Sequence, residues 1–349
     1  MRSDASRRRL RLVDVDVGGD VHRVVLEGVA LPPGASVRER MDYMEHSADG
    51  LRRLLITEPF GNESMCVDLV IPATSSEADL GFVIMEVMGY PYYSGSNTIA
   101  TAAAVLEAGL IPMVAGEQTL RLESPAGVNT VVAANRGGQV ASVTTRGGAA
   151  FIQAAGRTVT VPGIGTVEYD LAWSGGYYLL VDAAALGYAL EPDEIEAMRV
   201  TADAIVRAVQ AGFDETHPEL GAVGSPRFLH FMGELENLDD GSIRSRSATY
   251  GHPGVIWQCP TGTGTSARMA RMAGRGELAP GGVLETVAPS GNAFRGEILW
   301  TTQVGGFPAV DTTITASPYP MASMDLTVDV DAPLLRGFDL DAILTSATS

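Results

Sequence analysis

The stretch Ser94-Gly95-Ser96-Asn97-Thr98-Ile99-Ala100 has a counterpart in Thr261-Gly262-Thr263-Gly264-Thr265-Ser266-Ala267. Each runs on into an Ala-rich segment that stops at a glycine, Gly109 or Gly276, and the hydroxyl residue and its glycine are equally far apart in both. A cluster of Ser, Thr and Gly ahead of residues at helical spacing (Ile99, Ala103, Leu106, Leu110) is how a helix N-terminus with a hydroxyl cap reads. The first turn of such a helix has backbone N–H groups without partners and the positive end of the dipole, and glycine lets an anion approach closely. It therefore suits a carboxylate or phosphate. Two pseudo-equivalent ends in one chain predict a duplicated fold whose halves face each other across one small anionic ligand, with Ser94 and Thr261 on opposite sides. Donors on a carboxylate stabilise the enediolate that forms when an α-proton leaves, so the arrangement suits a carbon-acid enzyme.

The rest of the chain narrows the class. With 349 residues, 46% of them hydrophobic and 19% charged, it is long enough for two domains with separate cores. A net charge of −18 argues against binding nucleic acid or an anionic membrane through a basic surface. Only Cys66 and Cys259 are present, which gives no disulfide framework and no zinc cluster. A reducing cytoplasm is the expected compartment. Residues 1–12 are Arg-rich with no apolar core behind them, and no apolar run approaches the roughly 20 residues of a membrane span. No Gly-x-Gly-x-x-Gly unit joins a strand to a helix.

Residues 10–17 and 22–26 read as a hairpin closed at Gly18-Gly19-Asp20. Residues 41–55 read as one helix, with Arg52-Arg53 on a solvated face. Residues 119–143 read as strands broken at Pro125-Ala126-Gly127 and Arg136-Gly137-Gly138. Residues 191–209 form an amphipathic pattern, with Ile195, Met198, Ala202, Ile205 and Val209 on one face covering a sheet. His230, between Leu229 and Phe231, reads as a strand residue near a core, and His217 as a structural turn residue.

The repeated stretch resembles the proline racemase family, whose two catalytic thiols lie in a Cys-Gly-His segment and a later Asp-Arg-Ser-Pro-Cys-Gly-Thr-Gly-Thr segment. Residues 260–270 match the second, with Thr261 at the thiol position. Met85-Glu86 and residues 90–100 match the first, in a branch that carries Ser-Gly-Ser-Asn there, with Ser94 at the thiol position. The Glu58-Pro59, His217-Pro218-Glu219 and Ser290-Gly291-Asn292-Ala293-Phe294 blocks and residues 331–338 extend the resemblance from about Leu10 to Phe338. It implies an α/β (α+β) fold of two pseudo-symmetric domains, each a curled, mostly antiparallel sheet around a central helix as in diaminopimelate epimerase, with the active site at the domain interface. The expected domains are 1–125 with 305–349, and 126–304. The resemblance also implies a small-molecule carboxylate substrate, a homodimer, and no metal or pyridoxal cofactor.

On this basis Ser94 and Thr261 are the catalytic candidates, and Gly95, Ser96, Asn97, Trp257, Gly262, Thr263, Gly291 and Asn292 the substrate-binding ones. An aliphatic hydroxyl holds its proton far more tightly than a thiol, so Ser94 with Thr261 is a poor two-base pair. Family members with Thr at the second position are associated with dehydration, and the first expectation is a lyase that converts trans-3-hydroxy-L-proline or a close analogue to a pyrroline-2-carboxylate, Ser94 taking the α-proton. Trp257 and Ser96 stand where the family has an Asp and a His for the substrate's ring nitrogen. They support a second expectation, an epimerase or isomerase of 4-hydroxyproline or another α-substituted carboxylic acid. A third is a ligand-binding homologue without catalysis. Cys259, two residues before Thr261, is a further candidate base.

Overall fold

The computed structural model describes residues 6–345; the first five residues of the Arg-rich start and the last four lie outside the described residues. Two compact units divide the chain, 6–145 with 317–345 and 146–316. These boundaries fall later than breaks after 125 and 304. Pro125-Ala126 and Gly305-Gly306 turn out to be hairpin turns inside a unit, each joining antiparallel paired strands.

The first unit contains β1 (Arg7–Val17), β2 (Asp20–Glu27), β3 (Cys66–Ile71), β4 (Leu80–Met85), β5 (Gly116–Ser124), β6 (Gly127–Arg136) and β7 (Gln139–Arg146). The last strand, β17 (Pro318–Asp329), returns to pair with β1. Pairing is antiparallel except β2 with β3 and β4 with β5. Parallel neighbours need a long crossover. The first crossover carries α1 (Val37–Ser47) and α2 (Gly50–Leu55), and the second carries α3 (Gly95–Glu107).

The second unit repeats this order. It has β8 (Ala150–Val161), β9 (Gly165–Trp173), β10 (Tyr177–Asp182), β11 (Phe228–Asn237), β12 (Ile243–Gly251), the short β13 (Val255–Ile256), β14 (Val283–Val287), β15 (Ala293–Val304) and β16 (Phe307–Ala316). Its parallel pairs are β10 with β11, crossed by α4 (Ile195–Gln210), and β12 with β14, crossed by α5 (Gly262–Gly274). β8 pairs with β16 as well as β9, so the strands of this unit close into a ring. The curled sheet around a central helix is thus present in both units, and each central helix has 13 residues.

Burial explains the layers. Alternate residues of β3 and β4 (Val67, Leu69, Val83, Met85) join Met41, Met44, Leu51 and Leu54 of the outer helices in one core. The opposite face of the same strands covers α3, which is buried almost throughout. In the second unit Met198, Ala202, Ile205, Val206 and Val209 of α4 pack on alternate residues of β10 and β11, as the amphipathic pattern predicts.

Three local expectations change. Residues 41–55 are two helices, because Ala48 leaves helical geometry at φ −146°. Arg52 is also not a solvated residue: its guanidinium forks onto Asp49 at 2.6 and 2.7 Å and donates to the Glu86 carbonyl at 3.1 Å. The hairpin turn is the two-residue Gly18-Gly19, both at positive φ, and Asp20 already pairs with Val17.

Candidate active site: two hydroxyl-bearing helix N-termini

In the first unit Ser94 is the N-cap of α3, extended at φ −150°, and its hydroxyl accepts from the Asn97 backbone N–H at 3.5 Å. The Asn97 side chain adds a stronger contact: Nδ2 donates to Ser94 Oγ at 2.8 Å and to Glu86 Oε1 at 2.8 Å. Both lone-pair directions of Ser94 Oγ are thereby engaged from within the fold. Ser96 Oγ lies 3.3 Å away. Thr98 donates back to the Ser94 carbonyl at 2.7 Å and fixes the first turn.

Beneath Asn97 is a buried acidic pair. Burial pushes the Glu86 carboxyl up from its ordinary range, with hydrogen bonds from Asn97 and Cys66 opposing. Asp68 on β3 is fully buried and both its oxygens lack a hydrogen-bond partner. Burial raises its pKa well above the ordinary value and the Glu86 charge adds to this; the Thr101 hydroxyl offsets part of it without reaching bonding geometry.

In the second unit Thr261 precedes α5, but its hydroxyl does not cap the helix. Its backbone is at φ +60°, ψ 124°, which turns the side chain away from the first turn. Thr261 Oγ1 instead lies 2.7 Å from Thr249 Oγ1, which lies 2.8 Å from His230 Nδ1. His230 and Thr249 are opposite partners on β11 and β12, so the sheet itself sets this contact. Gly264 completes the arrangement: a Cβ there would fall 2.4 Å from Thr261 Oγ1, 2.7 Å from His230 Nδ1 and 3.1 Å from Thr249 Oγ1. Only glycine lets α5 come so near. Burial, then the Arg268 charge, lowers the His230 pKa to about 3, so the imidazole is neutral.

The other predicted residues of this unit gather around the same helix end. Thr263 shares a 2.5 Å hydrogen bond with Tyr178, whose ring stacks on Phe228 at 4.6 Å, and Phe228 lies 6.1 Å from Trp257. Trp257 is only 8% exposed, so most of its ring is core. Cys259 is buried and its Sγ receives the Thr261 backbone N–H at 3.4 Å, which places the thiol under the backbone of the motif. Ser290 donates to the Gln258 carbonyl at 2.6 Å and receives Asn292 Nδ2 at 3.1 Å, so the Gly291-Asn292 loop is tied beside Trp257. In the first unit Gly95 lies in the first turn of α3, while Asn97 is fully buried with its amide spent on Ser94 and Glu86.

A cavity of about 820 Å³ opens elsewhere in the second unit, against Tyr188, Leu190, Glu236, Arg244 and Arg246. Of the predicted residues it touches Gly291 but not Trp257, Gly262, Thr263 or Thr261. His217 accepts from the Glu219 and Leu220 N–H groups and is a turn residue. Among the described residues no group of three or more His, Cys, Asp or Glu could hold a metal ion, and no helix is long and apolar enough to cross a membrane.

Thr249 and the role of His230 escape a reading of the sequence, although a signal exists. Ser245, Ser247 and Thr249 place hydroxyls at every second position of β12, a polar stripe on a buried strand face.

The proline racemase family model matches residues 12–339. A Chromohalobacter salexigens protein is 48% identical over 97% of this chain and 93% of its own length. The 4-hydroxyproline 2-epimerase of Allorhizobium ampelinum is 30% identical over 98% of this chain and 97% of its own. The solved structure of a hydroxyproline epimerase from Agrobacterium vitis, with bound trans-4-hydroxy-L-proline, superposes with a TM-score of 0.85 at 29% identity, covering 94% of each chain. The two epimerases are isomerases rather than lyases. From residue 12 to residue 339 the chain belongs to the proline racemase family of enzymes.

Proposed function

We propose that the protein is an isomerase that inverts the α-carbon of 4-hydroxyproline or of another small α-substituted carboxylic acid, with Ser94 and Thr261 each exchanging one proton with the same substrate. The observation that carries this reading is that both hydroxyls at the matched helix ends are held from inside the fold, Ser94 by Asn97 and Thr261 by Thr249. In one direction Ser94 starts as the alkoxide and Thr261 as the hydroxyl: the α C–H bond breaks, its proton passes to the Ser94 oxygen, and the electron pair moves into an enediolate. Thr261 then delivers its hydroxyl proton to the α-carbon and is left as the alkoxide. The reverse direction starts from that second protonation form.

An unassisted alkoxide is out of reach at neutral pH, so each oxygen needs donors and a positive helix end. Ser94 receives both: two N–H groups of Asn97 and the first turn of α3. Gly95, Ser96, Gly262 and Thr263, in the first turns, and Gly291 and Asn292 are the proposed contacts for the substrate's polar groups. Trp257 and Ser96, in place of an acid and an imidazole, favour a substrate whose nitrogen needs no charged partner.

The test is incubation with the isomers of proline, 4-hydroxyproline and 3-hydroxyproline in deuterium oxide, read by proton NMR and chiral chromatography. Deuterium at the α-carbon together with the opposite epimer is the expected result, and Ser94→Ala should lower it by at least about a thousandfold. A pyrroline product from trans-3-hydroxy-L-proline, without inversion of any isomer, would assign the protein to dehydration instead.

A further inference from the structure

We propose that His230, a residue that touches no substrate, is the positioning residue that fixes the direction of the hydroxyl chain behind Thr261: Nδ1–H donates to Thr249, Thr249 donates to Thr261, and the Thr261 proton faces outward. The distances, 2.8 Å from His230 Nδ1 to Thr249 Oγ1 and 2.7 Å on to Thr261 Oγ1, allow a donor at either end. The surroundings of the other ring nitrogen decide between them. Nε2 is buried and without any hydrogen-bond partner. Were it the protonated nitrogen, an N–H would be buried without an acceptor, which folded chains avoid more strictly than an unfilled acceptor. The guanidinium of Arg268, also buried, acts on the ring as a positive charge and keeps it from taking a second proton. The proton therefore belongs on Nδ1, and the one proton of the fully buried Thr249 hydroxyl has Thr261 Oγ1 as the acceptor in reach, so each member of the chain donates to the next.

This orientation makes the two helix ends chemically alike despite their different geometry. Ser94 takes interior donors from Asn97, and Thr261 takes one from Thr249. The same donor that leaves the Thr261 proton outward also stabilises the alkoxide once that proton has gone, so one fixed arrangement serves both directions of transfer. His230 stays neutral throughout and passes on no proton of its own.

The turnover part of the test rests on the isomerase reading, whereas the spectroscopic part does not. Imidazole nitrogen NMR of the intact protein, assigned with His230→Asn, should show His230 protonated at Nδ1 with Nε2 bare, and Thr249→Val should shift the Nδ1 signal. A proton on Nε2, or an unshifted signal, overturns the proposal even if the protein turns over no substrate in the panel. With turnover in hand, Thr249→Val should lower inversion by about a hundredfold, the typical loss of one donor to a developing oxyanion. Wash-out of α-deuterium by the Ser94 half should stay within about threefold. Thr249→Ser, which returns the hydroxyl, should keep inversion near the parent rate, and so should His230→Asn, whose amide N–H stands in for Nδ1–H. Inversion unchanged in Thr249→Val, or retained by neither conservative variant, overturns the assignment.

Discussion

Thr261 holds a backbone conformation, φ +60°, that a β-branched residue adopts only at a cost of roughly 1–3 kcal/mol. The strain is what aims the hydroxyl at Thr249 rather than at its own helix. Thr261→Ala and Thr261→Gly lose the same hydroxyl, yet only glycine accepts this backbone freely. The glycine variant should therefore be the more stable by about 1 kcal/mol in urea unfolding. Equal midpoints and slopes would show that the conformation costs nothing. At this scale the sequence is informative about identity and silent about direction. Ser-Gly-Ser-Asn and Thr-Gly-Thr-Gly both read as capped helix ends, and Ser94 is a cap, but nothing local distinguishes Thr261. The distinction comes from Thr249 and His230, which only the pairing of β11 with β12 brings to it.

Among the elements, α3 rests on a pair of carboxyl groups, Asp68 and Glu86, that have no ion-pair partner among the described residues. Asp68 binds its proton more tightly folded than unfolded. The folded chain thus retains a proton over a range where the unfolded chain has released it, and stability falls as the pH rises above the ordinary value of 3.8. Asp68→Asn removes that loss. Its melting temperature should exceed that of the parent by about 2–4 °C or more at pH 8, each pKa unit being worth about 1.4 kcal/mol, and the gain should vanish near pH 4. A gain of the same size at both pH values would mean that Asp68 is not the group responsible. The elements were largely legible because their signals are local: glycine stops after α3 and α5, turn dipeptides in the meander, a 3.6-residue period in α4. The buried pair was not. Met85-Glu86 reads as part of a motif and Asp68 as one polar residue in an apolar strand, and what joins them to Ser94 is the face of β3 and β4 that covers α3.

For the whole molecule, the second unit is one uninterrupted stretch of chain with its own cores, and its strands close on themselves through β8 and β16. Residues 146–316 alone should fold cooperatively, with a single unfolding transition in calorimetry and dispersed amide signals. A molten, non-cooperative product would show that this stretch borrows stability from the remainder. The first unit is not one stretch of chain, since β1 finds one of its two partners only in β17, after the whole of the second unit. The ribosome gives that pairing a timetable. About 300 residues separate Val17 from Pro318, so at roughly 5–20 residues per second β1 waits something like 15–60 s for its neighbour. Through that interval an eleven-residue strand offers an open edge to any other nascent chain. Arg7, Arg8, Arg9 and Arg11 crowd that strand with like charge, which discourages a second copy from adding to it, and in the finished protein Arg9 meets Asp325 of the strand that finally arrives.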